Sequence, residues 1–232
     1  MVMGTVVVKI GGSTLGSHDT TLQDIVTLQQ RGVRVIVTHG GGPIISDWMD
    51  KQGLVASFNR GLRVTDAPTM EIVTAVLAGL VNTELVSSLL KLGGMAIGMS
   101  GVDGAMIQAT VLDPTLGLVG RIERVDVRPL QVILEAGYCP VISPLGISSD
   151  EGQDVSGVVL NINGDTAAGE IAAAINAEHL IFLTDVAGVL DSSNQLLSTI
   201  TPPQVAELIN SGVVQGGMLP KLEAAFTAAG VG

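Results

Sequence analysis

Two matching phrases near the amino end constrain this chain most: Val6-Val7-Val8-Lys9-Ile10-Gly11-Gly12-Ser13 and Val33-Arg34-Val35-Ile36-Val37-Thr38-His39-Gly40-Gly41-Gly42. Each is a β-branched run that stops abruptly in glycines. Such runs suit strands of a sheet covered on both faces, which means parallel strands joined by crossover helices. The glycines then bring bare backbone amides into the open, where an anion can approach closely. One such transition is weak evidence. Two in succession, the first with a lysine just before its glycines, point to a phosphate cradle.

Composition narrows the partners. With 232 residues, 47% apolar and 14% charged, the chain has material for a sizeable core. It has one Trp, one Tyr and three Phe, so base stacking on a nucleic acid is poorly supported. The formal charge of −11 counts against a polyanion or an anionic membrane. A lysine beside a glycine turn in so acidic a chain needs a reason. Cys139 is the single cysteine, which excludes an internal disulfide, and no Cys/His cluster has metal-ligand spacing. The amino end has no signal-peptide pattern, and apolar tracts such as 158–160 and 172–175 are too short to span a bilayer. The expectation is a soluble cytoplasmic protein.

Periodicity predicts strands and helices in alternation, hence an open αβα sandwich with a mainly parallel central sheet. Strands are expected over 6–10, 33–38, 95–100, 139–143 and 180–184. Helices are expected over 20–30, 43–52, 68–92, 129–136, 165–174, 202–210 and 220–229. A loop or hairpin is predicted over 59–65. Asp113-Pro114-Thr115-Leu116-Gly117 reads as the turn of a β-hairpin, and Asp150-Glu151-Gly152 as another leading to a strand over 158–161. The chain ends on a helix cap and the start of a strand, so the expectation is either a closing strand pair missing after Gly232 or a naturally short chain. The two halves divide near 175–180 with no flexible linker.

Six short constellations carry the candidate chemistry. Lys9 with Gly11 and Gly12 lies at the carboxyl end of a strand, where open α/β sheets bind ligands; a strand-end lysine with an ordinary turn gives the same letters. His39-Gly40-Gly41-Gly42 before a helix makes an anion nest. Hydrolases use the same letters as an oxyanion hole, but the Gly-x-Ser-x-Gly elbow that this requires is missing, as is a Walker loop. Gly61-Leu62-Arg63-Val64-Thr65 offers an arginine to clamp a carboxylate, or simply a solvated loop arginine. In Asn161-Ile162-Asn163-Gly164-Asp165, alternation puts both asparagines on one side. Asp165 then stands at a helix start, as the N-cap or as an anchor for nearby lysines. Lys221 follows Pro220 in a first helical turn, where a cation opposes the helix dipole and a bound phosphate would resolve the misfit. Thr184 and Asp185 sit where a strand turns into a loop suited to a nucleotide pocket.

Taken in order from Val6 to Lys221, and with Gly98-Met99-Ser100-Gly101-Val102-Asp103-Gly104 added, these phrases resemble the amino-acid kinase family over nearly the whole chain. The 61–65 and 161–165 phrases point to the branch that acts on N-acetyl-L-glutamate. The resemblance implies transfer of the γ-phosphoryl of ATP to the side-chain carboxylate of that acid, in arginine biosynthesis, with magnesium riding on the nucleotide. It implies that Lys9 and Lys221 stabilise the phosphoryl in flight and that Asp165 orients them. The amides of Gly11, Gly12, Gly41 and Gly42 would hold phosphate oxygens. Arg63 and Asn161, with Gly41 and Gly42, would bind the acid, and Thr184, Asp185 and Lys221 the nucleotide. Residues 1–175 would form the acid-binding and dimerisation lobe, and 176–232 an incomplete ATP lobe. A homodimer insensitive to arginine is expected, because the helical extension of arginine-inhibited members does not precede Met1. Two alternatives stay open: a same-fold kinase of carrier-linked aminoadipate or glutamate, and a non-catalytic ligand-binding member of the fold.

Overall fold

The computed structural model describes residues 4–11, 20–150, 157–191, 193, 195–214 and 218–230. Gly12, the turn at 151–152 and the glycines at 216–217 lie outside these residues. The chain runs β1 (Thr5–Ile10), α1 (Thr21–Gln30), β2 (Arg34–His39), α2 (Gly42–Lys51), and a short hairpin of β3 (Phe58–Asn59) and β4 (Leu62–Arg63). Next come α3 (Ala67–Thr74), a π-helical segment (Ala75–Val81) and α4 (Asn82–Lys91). The middle holds β5 (Ala96–Ser100), β6 (Ile107–Val111), β7 (Gly120–Val125), α5 (Arg128–Glu135), β8 (Cys139–Ser143), β9 (Leu145–Ser148) and β10 (Val159–Asn161). It finishes with α6 (Gly164–Ala174), β11 (His179–Leu183), α7 (Pro202–Asn210) and α8 (Met218–Ala228).

Five strands form a parallel sheet in the order β11-β1-β2-β8-β5. Strand residues alternate between faces, and here both faces are buried. Val6, Val8, Ile10, Val35, Val37 and Val141 join a cluster with Ile25 and Val26 of α1 and Leu85 and Leu89 of α4. Val7, Ile36 and Ile142 point the other way, onto Leu130 and Leu134 of α5 and Ala167 and Ile171 of α6. Fully burying a side chain such as Ile36 contributes about 1.5–3 kcal/mol. Lys9 shares the parity of Val7, so it faces α6. That parity fixes what the lysine can reach.

A second, four-stranded sheet in the order β10-β9-β6-β7 stands beside the first. It contains the predicted β6–β7 hairpin, whose turn is a 3₁₀ segment capped by Asp113. The sequence reading did not separate it from the central sheet, because a strand's partner is a long-range choice. It delivers Asn161 at the end of β10 to the mouth of the central sheet.

The long helix needs a correction. Ala67–Lys91 spans 25 residues and is apolar enough, by length and composition, to cross a membrane, so the apolar tracts are not all short. Its Ile72, Val73, Val76, Leu85 and Leu89 are buried in the core. A helix packed on a sheet needs the same residues that a bilayer would accept.

Candidate active site

The carboxyl edge of the sheet collects the charged residues. Asp165 lies in the first turn of α6, 7% exposed, as is Lys9. Lys9 Nζ stands 2.6 Å from Asp165 Oδ1, and Lys221 Nζ donates to Oδ2 at 3.0 Å. Asp165 is not the N-cap. Asn163 holds that position, its Oδ1 accepting from the amides of Asp165 at 2.9 Å and Thr166 at 3.1 Å. With the cap supplied, the Asp165 carboxylate is left for the two lysines. One carboxylate between two ammoniums leaves one positive charge in a chain of net charge −11. An anion is the complement such a place takes.

Close helix packing brings Lys221 there. A Cβ built on Gly169 of α6 would lie 2.5 Å from Ala224 O and 2.7 Å from Ala224 Cα, so the helices touch backbone to backbone. Asp165 precedes Gly169 by one turn on α6, and Lys221 precedes Ala224 by one turn on α8. The misplaced cation in the first turn of α8 therefore meets the acid it lacked.

The glycine phrases divide. The Gly11 amide donates to Leu183 O and the Gly40 amide to Ile10 O, each at 3.0 Å. The Gly11 amide, expected to hold a phosphate oxygen, extends the sheet ladder in this structure. Gly41 and Gly42 differ. Helix α2 begins at Gly42, with Gly41 as a cap that has no side chain to offer. Their amides and that of Ile44 belong to the helix start, whose donors have no intrahelical acceptor. A Cβ on Gly42 would meet nothing within 4 Å, whereas one on Gly41 would lie 2.7 Å from Leu77 Cδ2.

Gly41 and Gly42 line a cavity of about 190 Å³ with Arg63, Asn161, Asn163 and Gly164. Arg63 is 7% exposed, and Nη2 donates to Gly42 O and Ser46 Oγ, both at 2.9 Å. Its Nη1 donates to Met49 Sδ at 3.2 Å, and the guanidinium stacks 4.7 Å over the Phe58 ring. Burial lowers its pKa from the usual value. Asn161 Nδ2 donates to Thr65 Oγ1 at 3.1 Å, and Thr65 Oγ1 to Arg63 O at 2.8 Å, which ties the second sheet to the hairpin. Gly164 joins the two clusters, since its built Cβ would lie 3.4 Å from His39 O and 3.6 Å from Lys9 Cε.

Thr184 and Asp185 belong to neither cluster. They follow β11, with Thr184 Oγ1 donating to Asp185 Oδ1 at 3.2 Å. The next residues, 186–191, line a larger cavity of about 670 Å³ with 212–214 and Met218. Met218 opens α8, the helix that carries Lys221. The expected loop over 186–189 is there; residues 212–214, and Ser46 and Phe58 behind Arg63, escaped the sequence reading. Ser46 had a signal, lying one helical turn beyond Gly42 on the face that looks at the hairpin.

A positive pair of lysines on a buried carboxylate, a helix start open to a carboxylate-sized cavity, and a second cavity beyond define a phosphotransferase on an open α/β sheet. The chain belongs to the amino acid kinase family, whose model matches residues 4–232. It is 44% identical over 223 residues to an acetylglutamate kinase of Dehalococcoides mccartyi, covering 96% of this chain and 82% of that one. Over 225 residues it is 47% identical to an acetylglutamate kinase of Nostoc, covering 94% and 74%. Among solved structures it resembles smu.665 from Streptococcus mutans, with a TM-score of 0.89 and 32% identity over 98% of this chain and 91% of that one.

Proposed function

We propose that this chain phosphorylates the γ-carboxylate of N-acetyl-L-glutamate with ATP, giving the acyl phosphate of arginine biosynthesis. One observation carries the assignment. The stretch 161–165 lines the acid cavity with Asn161 and Asn163 and, two residues later, anchors both lysines through Asp165. An acid in the cavity and a phosphoryl on the lysines would meet across Gly164.

Arg63 would hold the α-carboxylate. Three of its five N–H donors are used internally, which leaves Nε and one Nη1 hydrogen for the acid. The γ-carboxylate is ionised at neutral pH, so its oxygen attacks the γ-phosphorus without a general base. The new C–O–P link forms as the bond to the bridging oxygen breaks, and ADP leaves with that oxygen's electron pair. Lys9 and Lys221 neutralise charge on the phosphoryl oxygens, and the Gly41 and Gly42 amides hold them. The 670 Å³ cavity, with Thr184 and Asp185 before it, would take the nucleotide. Magnesium bound to the nucleotide's phosphates would neutralise further charge. The site fits that arrangement, because the Asp165 carboxylate is already engaged by two lysines and the charge of the metal would come with the phosphates.

Residues 1–175 would thus supply the acid side and 176–232 the nucleotide side of a cytoplasmic enzyme. A homodimer fits the apolar Met95 and Ile97, exposed along the β5 edge. The test is ADP release from ATP-Mg²⁺ with N-acetylglutamate, glutamate, aspartate, carbamate and UMP, for the wild type and Lys9→Ala. Turnover is expected with N-acetylglutamate, and a loss of at least about 10²-fold in kcat for the variant. Preference for another acceptor, or full turnover by Lys9→Ala, refutes the assignment.

A further inference from the structure

His39 is fully buried, yet the proposed chemistry gives it nothing to do. Burial, aided by the nearby Lys9 charge and opposed by the hydrogen bond to Gly40, pushes its pKa down to about 4. The ring is therefore neutral at pH 7, and its two nitrogens have different tasks. Nδ1–H donates to Gly40 O at 2.9 Å, and Nε2 accepts from Asn82 Nδ2 at 3.2 Å. The two hydrogens of Asn82 Nδ2 also serve Val141 O at 2.8 Å and, sharing one of them, Met99 O at 3.3 Å, so it is pinned to β8 and β5. Room for Asn82 comes from Gly98, where a Cβ would lie 2.0 Å from its Oδ1.

The π-helical segment explains how one helix reaches the glycine loop twice. Leu77 packs against Gly41, and Asn82 holds His39. On an α-helix of 3.6 residues per turn, residues five apart sit about 140° apart and cannot share a face. Under i→i+5 bonding the turn is wider, and the angle between them narrows enough for both to face one side. The segment Ala75–Val81 ends just before Asn82 and contains Leu77. Its wider turn is what lets both side chains address residues 39–41.

We propose that His39 is a positioning residue for the reaction. Through Nδ1–H it fixes the Gly40 carbonyl and so aims the Gly41 and Gly42 amides into the acid cavity, while Asn82, delivered by the π turn, holds the ring in place. The proposal rests on reading that cavity as the acid site. The test separates the two nitrogens. An asparagine side chain reproduces the Nδ1 donor, and a glutamine reproduces a group at Nε2. His39→Gln is expected to raise the KM for N-acetylglutamate at least about tenfold and to lower kcat at least about tenfold, because the two amides it misaims line the acid cavity and also hold the phosphoryl oxygens. His39→Asn is expected to stay within about threefold of the wild type in both. In parallel, hydrogen exchange of the Gly40 and Ile45 amides, which bond to Ile10 O and Gly41 O, is expected to speed up at least about tenfold in His39→Gln and not in His39→Asn. Equal impairment of the two variants, at any melting temperature, overturns the proposal, as does unaltered behaviour of His39→Gln. The exchange arm needs no turnover, so a wild type inactive on N-acetylglutamate refutes the function alone and leaves this test standing.

Discussion

Replacing Asp165 by Asn is the sharpest perturbation of this site, because it keeps the shape and removes one charge. The carboxylate lies 2.6 Å from Lys9 and 3.0 Å from Lys221. At an effective dielectric constant of about 20, each contact is worth about 6 kcal/mol before solvation is counted. The 22% exposure of the Lys221 side chain weakens its share, and recovering the hydration of Asp165 offsets more. What remains is the cost of leaving two ammoniums facing each other with no acid between them, about 3–5 kcal/mol for a broken buried pair. For a chain of 232 residues that lowers Tm by roughly 6–20 °C. In the proposed mechanism the lysines also lose what aims them, so kcat should fall by about 10²–10³-fold. ATP is the diagnostic addition. Its phosphates replace the missing negative charge, so in a thermal-shift assay it should stabilise Asp165→Asn more than the wild type. An Asp165→Asn protein within about 2 °C of the wild-type Tm, with more than a tenth of its kcat, would refute the two-lysine anchor.

Three further outcomes are expected. Gly169→Ala places its methyl 2.5 Å from Ala224 O, which should push α8 away, cost about 1–3 kcal/mol in denaturant unfolding, and lower kcat through a longer Lys221–Asp165 contact. Cys139 is 2% exposed and burial drives its thiol pKa up to about 12, so a thiol reagent at pH 8 should label the native chain only at the unfolding rate. His39 has its folded pKa depressed from 6.5 to about 4; the unfolded state therefore binds more protons between these values. Its contribution, of order 3 kcal/mol, is full above pH 6.5 and is lost as pH falls toward 4. His39→Asn should unfold with a correspondingly shallower acid limb than the wild type over that window.

Local chemistry made much of this site legible in the sequence. The β-branched runs ending in glycine placed β1 and β2 and the open ends that follow them. Lys9 was readable because strand parity and the glycine after it leave few other uses for a lysine there. Lys221 stood out as a cation in the wrong turn of a helix. The letters around Arg63 suit a solvated loop residue equally well; Gly42 O, Ser46 and Phe58 show it to be a buried, oriented guanidinium. What stayed hidden depends on distant partners. The pairing of β6, β7, β9 and β10 as a separate sheet is one case. The π turn is another, because it follows from how 75–81 packs and from no residue preference within it. The Gly11 amide is a third: its acceptor, Leu183 O, comes from the far end of the chain.

The exchange of roles between Asn163 and Asp165 shows how such distant contacts decide chemistry. Either residue can cap a helix, and their order alone does not say which will. The backbone does. The N-cap falls at Asn163, whose extended backbone has φ −62° and ψ 130°, and the helix begins at Gly164. Gly164 lies against the 39–40 backbone and the Lys9 stem, where a Cβ would make ordinary contact at 3.4 Å from His39 O. Asp165 is then carried one step into the helix, beside the positive end of the dipole and facing β1. Had α6 begun two residues later, Asp165 would have spent its oxygens on backbone amides and Lys9 would have lost its partner. The residue at which α6 begins thus determines which acid is available to the lysines.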